Sequence, residues 1–157
     1  MKRRDVLTAA AAGTGLAMLA LVRPAFATTE EMAAAINTFT GGVKPKDGKV
    51  KFDIAQLIDN GNAVPVTISV DSAMTKAEHV SAIAIFNERN PQTDVATFTL
   101  GPRAGKAQVS TRIRLATSQK LTAVARMNDG AYWSTSVSVI VALAACIAGE
   151  APCWRGR

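Results

Sequence analysis

Two cysteines near the C-terminus are the residues of this sequence whose chemistry stands out. Cys146 and Cys153 are the only cysteines in the chain of 157 residues. A thiolate is a nucleophile, and its reactivity depends on exposure and on the local charge. One interpretation is a reactive thiol on an exposed tail, which can enter the active site of another protein. The other is a disulfide, but closing so short a loop would stabilise the fold by less than the roughly 3 kcal/mol estimated for a 15-residue loop. From the residues alone both interpretations stay open.

Other chemically active groups are scarce. His79 is the only histidine and follows Glu78, so the two could form an acid–base pair, although a surface histidine is the commoner reading of such a position. One histidine and two cysteines do not suffice for a metal centre built on several histidines or for a zinc finger. The sequence has no Gly-x-Ser-x-Gly elbow, phosphate-binding loop or His-Glu-x-x-His motif. We therefore expect no metal, no cofactor and no enzymatic activity of the chain by itself.

The N-terminus has the three-part pattern of an export signal. Lys2, Arg3 and Arg4 form a basic start, and residues 9–22 are apolar or small but too short and too rich in alanine for a good membrane span. Residues 25–27 then offer small side chains for cleavage after Ala27. The Arg3-Arg4 pair resembles a twin-arginine signal, and an ordinary secretory signal with a chance arginine pair is the alternative. The sequence predicts that residues 1–27 are removed and that the mature chain has no membrane span.

The mature chain is typical of one short helix followed by strands. Thr28 or Thr29 can cap a helix whose first turn carries two glutamates, and Gly41 would end it. Beyond Gly42 the hydrophobic residues recur at every second position, as in strands with one buried face. Pro65 within one run suggests an edge strand or a bulge. Seven such runs occupy residues 50–54, 64–70, 80–86, 96–100, 109–115, 121–127 and 132–141.

Seven short strands without intervening helices predict an all-β protein, an antiparallel β-sandwich. We expect this domain to span residues 28–143, with residues 144–157 forming a C-terminal arm that carries both cysteines. The formal net charge is +6, but several basic residues lie in the predicted signal. The remaining charge is too mild to indicate nucleic-acid binding. A local group of lysines at positions 44, 46, 49 and 51 is best read as a solvated loop and strand edge.

Five stretches of the sequence together resemble one known family. They are residues 39–42 (Phe-Thr-Gly-Gly), 61–66 (Gly-Asn-Ala-Val-Pro-Val), 86–91 (Phe-Asn-Glu-Arg-Asn-Pro), 109–116 (Val-Ser-Thr-Arg-Ile-Arg-Leu-Ala) and 129–133 (Asp-Gly-Ala-Tyr-Trp). The family that they resemble is SoxY, the sulfur-carrier subunits of the periplasmic thiosulfate-oxidising (Sox) system. The resemblance implies an immunoglobulin-like sandwich in the periplasm, a heterodimer with a SoxZ-like β-sandwich subunit, and export by the twin-arginine route. It also implies Sox enzymes as partners, which load, oxidise and hydrolyse sulfur held on the carrier.

The resemblance further implies a carrier cysteine on a C-terminal swinging arm, which in the family reads Gly-Gly-Cys-Gly-Gly. Here the matching place reads Ala144-Ala145-Cys146-Ile147-Ala148, so Cys146 stands at the position of covalent sulfur attachment. Alanine keeps the arm slim but loses part of the freedom of glycine, and Ile147 adds bulk beside the sulfur. Cys153 is expected to be a disulfide partner of Cys146 rather than the carrier.

Two functions follow from this resemblance. The first is a covalent carrier of sulfur intermediates in thiosulfate oxidation. The second is a SoxY-like binding or assembly module that carries no sulfur, with Cys146 and Cys153 paired in a disulfide.

Overall fold

The computed structural model describes residues 27–142 of the chain. These residues form one helix, α1 (Thr29–Thr40), and nine strands: β1 (Lys46–Asp47), β2 (Val50–Asp53), β3 (Leu57–Ile58), β4 (Val64–Val70), β5 (Val80–Asn87), β6 (Asp94–Thr99), β7 (Gln108–Ile113), β8 (Gln119–Met127) and β9 (Tyr132–Val141). Within this part of the chain, no helix has the length and hydropathy needed to cross a bilayer.

Helix α1 begins and ends where the sequence predicts. Thr28 is the N-cap: its Oγ1 accepts a hydrogen bond from the Glu31 backbone N–H at 3.2 Å, and the Glu31 carboxylate accepts one from the Thr28 N–H at 3.0 Å. This reciprocal capping box satisfies donors that the first turn leaves free. Gly41 ends the helix in the left-handed region with φ of 64°, which glycine adopts without steric cost.

The strands form two sheets that enclose one core. The larger sheet has the order β1-β9-β8-β5-β6, with β3 also paired to β9, and the smaller has the order β2-β4-β7. The main hydrophobic cluster draws side chains from both sheets, among them Ile68 of β4, Ile83 of β5 and Leu121 of β8. The two sheets therefore pack face to face, and the predicted all-β sandwich with a short N-terminal helix is confirmed. The immunoglobulin-like detail stays a prediction.

Strands β5 and β8 are buried on both faces because α1 covers the outside of the larger sheet. One face of each strand points into the core, while Ala84, Phe86 and Val124 on the other face pack with Met32 of the helix. Phe39 adds an edge-on contact with the Phe86 ring, with the ring centroids 5.9 Å apart. The helix thus protects the middle of the sheet from solvent, and it leaves most of the outer face of β9 exposed.

Three features differ from the sequence-based expectation. Strands β1 and β3 were not predicted, and both run parallel to β9, so the sandwich is not purely antiparallel. Each of these two strands has only two residues, which is too few to show a periodic pattern of hydrophobic residues. The third feature is Pro65, which suggested an edge strand or a bulge, whereas its strand β4 is the middle strand of the smaller sheet and pairs without a register shift. Proline is tolerated at position 65 because β2 pairs only with Thr67–Val70. Pro65 therefore has no partner in β2 to which a backbone N–H would have to donate.

Candidate functional site

The C-terminal end of β9 is held on both sides up to its last described residue. On one side the Ile140 N–H donates to the Gln56 carbonyl at 2.7 Å, and the Ala142 N–H donates to the Ile58 carbonyl at 2.8 Å. On the other side the Val141 N–H donates to Ser118 Oγ at 2.9 Å. We name this region the arm root, comprising residues 56–58, Ser118 and residues 140–142, because the predicted arm follows directly.

Gly61 lies so close to Leu115 and to Val141 of the arm root that a larger residue at this position would force its neighbours to move. The Leu115 N–H donates to the Gly61 carbonyl at 2.8 Å. A Cβ added at Gly61 would overlap the Leu115 carbonyl oxygen and would lie 3.3 Å from Val141 Cγ1. Glycine is required here by the close approach of the Gly61 and Leu115 backbones.

Asn90 ties together the loops beside the arm root. Its Nδ2 donates to the Arg114 carbonyl at 2.7 Å, and its Oδ1 accepts from the Ala116 N–H at 3.0 Å and from Gln119 Nε2 at 2.9 Å. The Asn90 N–H donates to Oδ1 of Asn87, a side chain only 1% exposed. Because buried polar groups are costly unless they are paired, this network favours a single arrangement of the loops.

A second bridge joins the loop before β4 to the end of β7. The Arg114 guanidinium donates to Asn62 Oδ1 from Nη2 at 2.8 Å and from Nε at 3.3 Å. Three of the stretches singled out in the sequence, residues 61–66, 86–91 and 109–116, therefore meet next to the arm root. Ser118 and Gln119 follow the third stretch directly and join its contacts to β9 and to Asn90.

The residues predicted to carry the chemistry lie outside the described residues. These are Cys146, Cys153, the flanking residues Ala144, Ala145, Ile147 and Ala148, and the signal residues Arg3 and Arg4. Ala27, the last residue of the predicted signal, is described: it is 8% exposed and its N–H donates to the Asn90 carbonyl at 3.2 Å. The structure thus describes the domain that precedes the predicted arm, and none of the residues of the arm itself.

His79 lies in a structural setting. It is half-buried, its Nδ1 lies 3.1 Å from the Thr75 carbonyl oxygen, and its backbone N–H donates to Asn128 Oδ1 at 3.0 Å. The Glu78 carboxylate instead pairs with Lys49 Nζ at 3.5 Å. These contacts favour the surface-histidine interpretation over an acid–base pair. Across residues 27–142 no group of three or more histidine, cysteine, aspartate or glutamate side chains is placed to hold a metal ion.

The predicted lysine group lies at the opposite end of β9. The four lysines are exposed, as expected for a loop and a strand edge. Two of them also stack on an aromatic ring: Lys46 Nζ is 5.8 Å and Lys49 Nζ is 5.3 Å from the ring centroid of Trp133. Such cation–π contacts contribute about 0.5–1 kcal/mol at exposed sites, so they help to hold this loop against β9.

The sequence does not predict the hydrogen bonds that the side chains of Asn90, Gln119 and Ser118 make. In the sequence, residues 86–91 indicate only the end of a strand and a part of the family resemblance. A polar residue within a short loop gives no sign of the segment that its side chain bonds, and the Asn90 side chain bonds partners up to 29 positions away.

Comparison with known proteins relates the chain to one sequence family and to one fold. The family model described as sulfur oxidation protein SoxY matches residues 36–146. No curated protein matches the chain.

Similar solved structures include a superoxide reductase (neelaredoxin) from Ignicoccus hospitalis, 13% identical, which covers 74% of this chain and 95% of its own with a TM-score of 0.55. Another is a putative superoxide reductase from Thermotoga maritima, 17% identical, which covers 66% of this chain and 89% of its own with a TM-score of 0.52. At these identities the likeness shows a shared fold alone.

Proposed function

This chain belongs to the SoxY family of sulfur oxidation proteins, and we propose that it is a covalent carrier of sulfur intermediates in thiosulfate oxidation, with Cys146 as the attachment site. In this role the chain is a substrate-bearing protein on which other enzymes act, and it performs no catalysis alone. The observation that carries the proposal is the extent of the family match, which runs through the sandwich and ends at residue 146. The match therefore includes Cys146 and stops before Cys153.

The arm root supports this assignment by its position. Backbone hydrogen bonds hold β9 up to Ala142, and Cys146 follows four positions later in the sequence. Four extended residues span at most about 14 Å, so a sulfur at Cys146 could reach a neighbouring active site while the sandwich stays fixed. Ala144 and Ala145 keep this approach narrow.

The chemistry proposed for Cys146 begins with oxidative coupling to thiosulfate. The Cys146 thiolate and the outer sulfur of thiosulfate form a sulfur–sulfur bond, and the two electrons released pass to a partner enzyme that acts as the oxidant. Hydrolysis of the outer sulfur–sulfur bond of the product then consumes one water, releases sulfate and two protons, and leaves a persulfide on Cys146. Both steps need a nucleophilic sulfur that partners can reach.

Cys153 has a protective role in this proposal. A thiol exposed in an oxidising compartment tends to be trapped as a disulfide. Pairing with Cys153 would hold Cys146 in a form that a thiol reductant restores. Ile147 stands where the family has glycine, and this bulk supports the second candidate, a SoxY-like assembly module in which the same disulfide is permanent.

We also propose that the protein works in the periplasm as a heterodimer with a SoxZ-like β-sandwich subunit, exported by the twin-arginine route. Support comes from the family membership and from the Arg3-Arg4 pair. Replacing both arginines with lysine should keep the precursor in the cytoplasm, as measured by cell fractionation and immunoblotting. Unchanged periplasmic levels of this variant would contradict the twin-arginine route.

The proposed carrier role is tested by thiosulfate-dependent electron transfer in a mixture reconstituted from the partner enzymes and the purified heterodimer. Wild type and Cys153→Ser should both support electron transfer, whereas Cys146→Ser should abolish it. Thermal melting of each variant shows whether it is folded. Full turnover by a folded Cys146→Ser variant would contradict the assignment, and loss of turnover in Cys153→Ser alone would move the carrier position to Cys153. A wild type that stays inactive even after treatment with a thiol reductant would favour the assembly module.

A further inference from the structure

Two large hydrophobic side chains lie exposed and side by side at the arm root. Leu57 of β3 and Ile140 of β9 are paired in register, and they are 64% and 60% exposed. The next pair along the same two strands, Ile58 and Val141, is 7% and 6% exposed and belongs to the core. Because successive side chains alternate between the faces of a sheet, Leu57 and Ile140 share the outer face.

The remainder of that face along β9 is polar. The outward positions after Tyr132 are three serines, at positions 134, 136 and 138, and then Ile140. Ser136 Oγ shares a hydrogen bond with Thr122 Oγ1 at 2.9 Å on this surface. A single exposed hydrophobic residue needs no explanation. Two neighbouring ones, at the end of an otherwise hydroxylated strand, form a small apolar patch of the kind that can take part in an interaction site.

The length of the arm indicates which molecule this patch would contact. Ala142 lies two positions after Ile140, and its N–H bonds to the carbonyl of Ile58, the residue after Leu57. Cys146 is four positions further along the chain. Four residues reach at most about 14 Å. An enzyme that takes the sulfur of Cys146 into its active site must therefore bring the mouth of its channel within this distance of Ala142. An enzyme surface that comes so close to Ala142 also comes close to Ile140, two positions earlier in the chain, and to its partner Leu57.

We propose that Leu57 and Ile140 form a docking surface for the enzymes that act on Cys146, and that these enzymes present an apolar rim around the channel that admits the arm. This inference rests on the proposed carrier function. The exposed pair supplies the hydrophobic contact, and the serines beside it form a polar border, an arrangement common in transient interfaces. One shared surface at the root of the arm suits a carrier that must be released by each enzyme in turn.

The test uses the mature chain in its heterodimer, with Leu57 and Ile140 replaced together by threonine, which is polar and suits a strand. The control is Val43→Thr. Val43 is the third large exposed hydrophobic residue of the described chain, at 49%, and it precedes β1, which pairs with the opposite end of β9. The assay is the initial rate at which the loading enzyme transfers thiosulfate to the carrier, measured over a range of carrier concentrations. Alkylation by iodoacetamide measures the access of a small reagent to Cys146.

The double variant should show a KM for the carrier raised about tenfold or more, because the burial of even one large apolar side chain on binding corresponds to about that factor. Its kcat, its alkylation rate and its melting temperature should match those of the wild type, and Val43→Thr should match in every assay. An unchanged KM would overturn the proposal. So would loss of the partner subunit from the purified double variant, because Leu57 and Ile140 would then belong to the heterodimer interface. A wild type that gains no sulfur would contradict the carrier role itself, whereas equal KM values in carriers that do load contradict only the docking surface.

Discussion

The backbone N–H of Val141 donates a hydrogen bond to Ser118 Oγ at 2.9 Å, and this contact fastens the last residue of β9 to the loop before β8. Val141 is 6% exposed and has its side chain in the core. Beyond it only Ala142 is described, and the Ala142 N–H bonds to the Ile58 carbonyl on the opposite side. The end of β9 is thus held by the Ser118 side chain and by the backbone carbonyls of Gln56 and Ile58.

Replacing Ser118 with alanine should loosen this end of β9. The change removes the acceptor of the Val141 N–H from a partly buried hydrogen bond, and such a bond contributes about 0.5–1.5 kcal/mol net. We expect a lower melting temperature and faster hydrogen exchange of the Val141 and Ala142 amides. Ser138→Ala is the matched control, since Ser138 lies exposed on the outer face of the same strand. Equal exchange rates in the two variants would contradict the role given to Ser118.

Replacing Gly61 with alanine should destabilise the fold through a steric clash. The new methyl group would overlap the Leu115 carbonyl oxygen and press on Val141, and overpacking of this kind costs about 1–3 kcal/mol. Chemical denaturation would measure the loss. Gly101→Ala serves as the control, because a Cβ at Gly101 meets no atom within 4 Å. A Gly61→Ala protein as stable as the Gly101→Ala protein would show that the backbone approach at Gly61 is looser than described.

Asn90→Ala should be among the more damaging polar substitutions in the domain. It removes the side-chain partners of Ala116, Gln119 and the Arg114 carbonyl together. Each hydrogen bond contributes about 1 kcal/mol net, so a loss of about 2–3 kcal/mol in the free energy of unfolding is expected. Asn37→Ala, on the exposed side of α1, should be neutral or slightly stabilising because alanine favours helices. Similar unfolding free energies for both variants would contradict the structural role of Asn90.

The sequence alone was informative wherever a local pattern decides the structure. The threonine–glutamate capping box and Gly41 bracket α1. Hydrophobic runs identified seven of the nine strands, some by alternation, as in Val109, Thr111 and Ile113, and others, such as β5 and β8, as nearly continuous runs. The sandwich followed from the number and spacing of those strands.

The arm root could not be predicted because its contacts join distant positions. Ser118 meets Val141, and Arg114 meets Asn62, across 23 and 52 positions respectively. The exposed Leu57–Ile140 pair was hidden as well, because Ile140 continues an apolar run in the sequence and β3 has only two residues. Only the pairing of β3 with β9 places these two side chains together on the outer face.

The most direct test of the carrier role is the intact mass of the mature protein after incubation with thiosulfate and the oxidising partner enzymes. The account predicts that wild type and Cys153→Ser each gain the mass of one thiosulfate group. Reduction should reverse this gain, and fragmentation should localise it to Cys146. The Cys146→Ser protein should gain nothing, and its free energy of unfolding should lie within about 1 kcal/mol of the wild-type value, as the proposed exposure of Cys146 on the arm implies. A Cys146→Ser protein that still gains the thiosulfate mass, or a reduced wild type that never gains it, would contradict the account.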